Sequence, residues 1–169
     1  MSEDNALPFP APALAARLRI SPKLRELLVA VVTRVQVATA AAPDHAAPPT
    51  ANPADLPDPE LDAAWAAGLR ECEENDALTL LGLMTDANFG TANVPLTPVG
   101  AEAIARASVR VRLCLRETAL REMNSADVEG GIDVYRLPPG EQQSYICFRL
   151  LAELEEDLIL QLDPGLANS

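Results

Sequence analysis

At 169 residues the chain suits a single domain, and its formal charge of −12 makes it too acidic for a phosphate-binding surface, which needs basic groups to displace counterions. The same charge repels an anionic membrane surface, and its bland consequences are solubility and attraction toward basic partners. Hydrophobic residues make up 49% of the chain but aromatics only 4%, so the core must be aliphatic.

The opening Met1-Ser2-Glu3-Asp4 lacks a basic region ahead of an apolar run and does not read as a signal peptide. The most apolar run, Leu27 to Val32, is too short to span a bilayer. Three widely spaced cysteines, Cys72, Cys114 and Cys147, contain no Cys-x-x-Cys and argue for a reducing compartment over a disulfide framework. These features describe a soluble, cytoplasmic protein.

In chain order, residues 1–20 carry Pro8, Pro10 and Pro12 and read as an extended arm. Ser21-Pro22 starts a first helix, with Ser21 as cap and Pro22 in the first turn. Leu24, Leu28, Val31, Val35 and Ala38 step by four and three and share one face. Six prolines between Pro43 and Pro59 then exclude helix and central strand, so 43–58 reads as a linker. Asp58-Pro59 opens a second helix with Leu61, Trp65, Leu69 and Cys72 as its apolar face. Asn75 or Asp76 is expected to cap a short continuation through Leu78, Leu81 and Met84.

Residues 85–97 lose helical periodicity, with Val94-Pro95-Leu96 as a short extended piece. Thr97-Pro98 starts a third helix running to about Met123. Gly130-Gly131, between short apolar runs, gives a weak hairpin signal. The last helix runs from about Gly140 to Leu162 and ends at Asp163-Pro164-Gly165, leaving 164–169 as a tail. Residues 21–163 therefore form one all-α domain, a bundle of about four main helices.

The third and last helices hold most of the information. Ile104, Ala107, Val111, Leu115 and Thr118 define one apolar sector of the third helix, while Val109, Leu113 and Leu120 fall on nearly the opposite side. Arg106, Arg110, Arg112, Arg116 and Arg121 lie between. In the last helix Cys147, Leu151, Leu154, Leu158 and Gln161 form a packing seam, and Glu153, Glu155, Glu156 and Asp157 crowd the middle. An arginine-rich helix and an acid-rich helix in one small domain are expected to pair with each other.

Chemistry is hard to assemble from this inventory. The one histidine, His45, lies in the proline-rich stretch, where a general base or metal ligand is hardest to preorganise. Four zinc ligands at close spacing are missing, and one histidine cannot supply a di-iron site. Asp86-Ala87-Asn88-Phe89-Gly90 opens like a calcium loop, but the glycine arrives one position early and Thr97 stands where glutamate belongs. No nucleophile has an imidazole partner and no glycine-rich phosphate loop is present.

The order of elements resembles an uncharacterised, all-helical bacterial family without assigned activity, often encoded beside the Clp protease adaptor ClpS. The similar pieces are Asp58-Pro59-Glu60-Leu61, Leu96-Thr97, Arg112-Leu113-Cys114-Leu115 and Leu154-Glu155-Glu156-Asp157-Leu158, spread over roughly residues 20–163. The chain departs from the pattern at Val109-Arg110, where the family tends to have Asn-Asp, and at Arg116, where it has glycine. The resemblance implies an association with Clp-dependent proteolysis, and it singles out Arg112 and Glu156 as a structural ion pair between the third and last helices.

The resulting expectation is a non-enzymatic interaction or regulatory module without cofactor, metal or catalytic residues. It would present the Val109, Leu113, Leu120 stripe to a protein partner or to a second copy, and bind neither nucleic acid nor membrane. The alternative is a small-anion or metabolite binder using Arg106, Arg110 and Arg116.

Overall fold

A computed structural model of the protein describes residues 14–40 and 59–165. The linker read over 43–58, most of the arm 1–20 and most of the tail 164–169 lie outside the described residues. The elements are β1 (Ala15–Ala16), α1 (Pro22–Ala40), α2 (Pro59–Thr85), β2 (Val94–Pro95), α3 (Pro98–Glu117), α4 (Ser125–Gly130), a 3-10 turn (Val134–Arg136) and α5 (Pro139–Leu162). The architecture is all-α, with four long helices and a two-stranded ribbon.

Capping chemistry places the helix starts as the sequence predicts. Ser21 Oγ accepts from Leu24 N at 3.3 Å ahead of Pro22, and Thr97 Oγ1 accepts from Gly100 N at 3.1 Å ahead of Pro98. Each bond satisfies a first-turn N–H that has no partner inside its helix.

Three expectations need correction. Asn75 and Asp76 do not interrupt the second helix: α2 is continuous from Pro59 to Thr85. Asp76 is drawn to Arg106 instead of to a backbone N–H. The third helix stops at Glu117, six residues early, because Thr118 Oγ1 turns back onto the Cys114 carbonyl and Arg116 collects the carbonyls of Leu120 and Met123. No hairpin forms at Gly130-Gly131. Asn124 caps the short α4 by accepting from Ala126 N at 2.9 Å, and Gly131, at φ +91°, ends it.

The strands come from elsewhere. β1 and β2 pair antiparallel, Ala15 with Pro95 and Ala16 with Val94. Val94-Pro95 is thus extended as read, and its partner comes from the segment expected to be an extended arm, where Ala16 is buried. Gly90 closes the same corner, its carbonyl accepting from Ile20 N at 3.1 Å.

Inside, α3 and α5 form the most extensive helix pair, with α1 and α2 packed alongside. Ile104, Val111 and Leu115 of α3 meet the same core as Leu151, Leu154 and Leu158 of α5, Leu28 and Val32 of α1, and Leu80 and Met84 of α2. Each fully buried side chain of this size contributes roughly 1.5–3 kcal/mol. The core is aliphatic, with Phe89, Tyr145 and Phe148 as its aromatic members.

Candidate functional site

Two ion pairs set the register between α2 and α3. Asp76 accepts from Arg106 Nε and Nη2 at 2.8 Å each, a bidentate fork. One turn away, Glu73 lies 2.6 Å from Arg110 Nη1. The acids descend in sequence as the arginines ascend, so the two helices run antiparallel. The next step of that register brings Leu69 opposite Leu113.

That step leads into an open groove of about 780 Å³ between α2, α3 and the end of α1. The buried Val35, Ala107 and Val111 line it together with side chains that face solvent. Leu69 is 48% exposed, Leu78 66%, Val109 38% and Leu113 57%. Further along α2, Leu61 and Trp65 are exposed at four-residue steps from Leu69, on the same helix side. Isolated exposed apolar residues such as Val99 or Tyr135 are ordinary surface. A contiguous series on two neighbouring helices is not.

The expected stripe is therefore redrawn. Val109 and Leu113 face solvent, but Leu120 is fully buried. Because α3 ends at Glu117, residue 120 lies in the following turn and folds back into the core, where helical spacing no longer governs its direction. The face instead gains Leu61, Trp65 and Leu69, which belong to the apolar face predicted for the second helix. Periodicity identified their common side correctly and could not say what lay opposite.

The three arginines of the anion-binding alternative are all engaged. Arg106 and Arg110 are held by Asp76 and Glu73, and Arg106 also lies 3.8 Å from Glu102. The Asp76 hydrogen bond, more than any other contact, raises the pKa of Arg106 above its ordinary value, so it stays cationic and paired. Arg116 donates to the carbonyls of Leu120 and Met123 and to Ser125 Oγ, tying the turn after α3. Arg121 meets its neighbour Glu122 at the surface.

The expected Arg112–Glu156 pair is off by one residue. Arg112 donates to Glu155, and Glu156 is exposed. One position along a helix rotates a side chain by about 100°, which moves Glu156 out of the α3–α5 seam. The broader expectation, that the arginines of the third helix are answered by the acids of the last, holds at this pair alone: Arg106 and Arg110 turn to α2. The signal was legible in retrospect, since carboxylates three apart at 73 and 76 face guanidiniums four apart at 106 and 110.

The remaining chemistry-bearing groups are dispersed. Asp86, the first residue of the calcium-loop-like segment, accepts from Asn88 N at 2.7 Å and closes a turn. Among the described residues no three His, Cys, Asp or Glu side chains gather as a metal-binding group. Cys72 is exposed beside the groove, Cys114 is half-buried and Cys147 fully buried. Burial pushes the Cys114 thiol up, and that of Cys147 to about 12. No described helix is long and apolar enough to cross a membrane. The chain matches no family model, no curated protein and no solved structure.

Proposed function

We propose that this protein is a non-enzymatic interaction module that binds a protein partner along the α2–α3 face. The observation that supports this most is the solvent exposure of Leu69, Val109 and Leu113 around one groove, with Trp65 extending the series along α2. The ion-pair ladder of Asp76–Arg106 and Glu73–Arg110 holds the two helices apart at a fixed spacing, so the groove exists before a partner arrives.

Magnitudes favour a reversible complex. Trp65, Leu69, Val109 and Leu113 are about half exposed, so covering what remains contributes about half of ~1.5–3 kcal/mol each, roughly 3–6 kcal/mol together. Association costs a comparable amount in lost translational and rotational freedom, about 4–15 kcal/mol, so the surplus is modest. An adaptor or regulator with such a face engages and releases, which agrees with the link to Clp-dependent proteolysis that the family resemblance implies.

A photo-crosslinking residue installed at position 113, in cells that make the protein, tests the reading. Position 135, where Tyr135 is exposed away from the groove, is the control. The expected result is a polypeptide adduct from 113 that disappears in a Leu69→Glu background, with none from 135. Equal adducts from both positions, or none from 113, would falsify it.

A further inference from the structure

We infer that residues 14–20 exchange between two copies of this chain, the strap they form leaving its own cradle to dock in the identical cradle of the second copy. The inference goes beyond the α2–α3 face and rests on none of its residues.

The strap is held as an extended peptide is held. Ala15 and Ala16 pair antiparallel with Pro95 and Val94. Leu96 N donates to the Leu14 carbonyl at 2.8 Å, and Ile20 N donates to the Gly90 carbonyl at 3.1 Å. On the edge away from β2, the Gln161 amide meets both backbone groups of Ala15 at 3.0 Å. Main-chain bonds of this kind give affinity for a strand in register, whichever molecule it comes from.

Side chains anchor the strap weakly. Ala15 and Ala16 are buried, Leu14, Leu18 and Ile20 only half-buried, and Arg17 and Arg19 exposed. An open recess of about 360 Å³ is lined by Arg17 to Arg19 of the strap and by Glu153, Leu154 and Asp157 of α5, so the two are not close-packed there. The contacts of α1, α3 and α5 with one another do not pass through the strap.

Charge and chain geometry select the occupant. The strap carries two arginines and no acid in a chain of charge −12. Arg17 lies 4.0 Å from Asp157, and Arg19 donates to Asn93 Oδ1 at 2.7 Å. The segment that matches this cradle in contact and charge is the strap itself, and a second copy supplies it. Exchange keeps every one of these contacts and alters only the hinge. That hinge is short, since Ser21 alone separates the Ile20 N–H bond from Pro22 at the start of α1. Short hinges favour exchange.

The test uses the full chain with Cys72→Ser to remove the exposed thiol. Ala16→Cys and Val94→Cys are made in separately tagged chains, mixed at ~1 mM to match the effective concentration of a short tether, and mildly oxidised. Neither chain alone holds the cross-strand pair, so a disulfide heterodimer requires the strap of one copy on β2 of the other. The heterodimer is expected to accumulate, and a control mixture of Val94→Cys with Tyr135→Cys is expected to give none. Both cysteines in one chain should bridge internally, which checks the geometry. Gln161→Leu weakens the clasp equally in the closed and exchanged forms. It should therefore speed exchange about tenfold and leave the final dimer fraction unchanged.

Internal bridging without any heterodimer overturns the inference, as does equal yield from the control mixture. Where the cysteines do not bridge even within one chain, light scattering on the parent chain at ~1 mM decides. A dimer mass that forms faster with Gln161→Leu supports exchange. A monomer mass, or a dimer indifferent to Gln161, overturns it.

Discussion

The guanidinium of Arg112 in α3 donates to the carboxylate of Glu155 in α5 and lies over the ring of Phe148, 4.7 Å from its centroid. Both charged side chains are largely shielded from water, at 27% and 16% exposure. Among the described residues Arg112 Nε is buried without a hydrogen-bond partner. The pair therefore fixes the register of the most extensive helix contact while keeping an unmet desolvation cost.

Removing one member is expected to hurt more than removing both. Glu155→Ala leaves the guanidinium against Phe148 without its carboxylate and should cost about 2–3 kcal/mol, between the exposed and buried limits for ion pairs. Glu156→Ala, on the exposed flank, should stay within about 0.5 kcal/mol. The apolar double variant Arg112→Met with Glu155→Leu should lie close to the parent chain. Urea unfolding of the three variants checks this, and a Glu156→Ala cost equal to that of Glu155→Ala would refute the pairing.

Much of the helical framework could be read before the structure. Ser21-Pro22, Thr97-Pro98 and Asp163-Pro164 are local signals, and local signals place helix ends. What could not be read depends on neighbours. Leu61, Trp65 and Leu69 share a helix side by spacing alone, but burial depends on what packs against that side, and all three remain exposed. Asp76 looked like a cap because aspartate often is one; the bidentate arginine that holds it arrives from thirty residues away. Glu155 and Glu156 differ only in rotation about the α5 axis, which no composition argument resolves. Of the candidate face, Val109 and Leu113 were legible, and Leu120 was lost because the helix that was to display it ends first.

Gln161 shows a second neighbour effect. Its amide donates to the Ala15 carbonyl and accepts from the Ala15 N–H, both at 3.0 Å, so the side chain stands where another strand would pair with β1. Gln161→Leu keeps the apolar stem but leaves both backbone groups unmet. It should cost about 1–2 kcal/mol, and hydrogen exchange at Ala15 should rise selectively. Unchanged protection at Ala15 would mean that β2 alone holds the strand.

Gly90 adopts φ +88°, and a Cβ there would lie 2.9 Å from Ile20 Cγ1 and 3.0 Å from the Ile20 carbonyl oxygen. The backbone bond from Ile20 N to Gly90 O prevents the two segments from separating freely. Gly90→Ala should therefore combine strain with a clash and cost about 2 kcal/mol or more. Gly131→Ala has a similar φ but open space around it, so its cost should be about 1 kcal/mol. Thermal melts of the two variants give the comparison, and equal shifts would assign the whole effect to backbone conformation.

The face and the core should separate cleanly by mutation. Leu151 is fully buried in the α3–α5 core, so Leu151→Ala should cost about 2–5 kcal/mol through lost burial and a cavity. Leu113→Ala, at 57% exposure, should stay within about 0.5 kcal/mol and still reduce crosslinking from a neighbouring groove position. A large stability loss for Leu113→Ala would mean that the residue supports the fold rather than a partner.

Cys147 gives the molecule a predictable response to alkali. Burial within α5 raises its thiol from an ordinary value of 9.0 to about 12, so the folded chain keeps a proton that the unfolded chain releases. Stability rises with pH only where the unfolded state holds more protons; here it holds fewer. The contribution is thus complete below pH 9 and declines as pH climbs from 9 toward 12, by about 2 kcal/mol near pH 10.5. Other groups titrate in that window, so the informative quantity is the difference from Cys147→Ala. That variant should start about 1–2 kcal/mol less stable at pH 7.5 because of the cavity it leaves. Its deficit should shrink by pH 10.5, since it has no thiol to ionise. Urea midpoints at both pH values measure the two gaps, and a constant gap would show that the Cys147 thiol ionises as easily folded as unfolded.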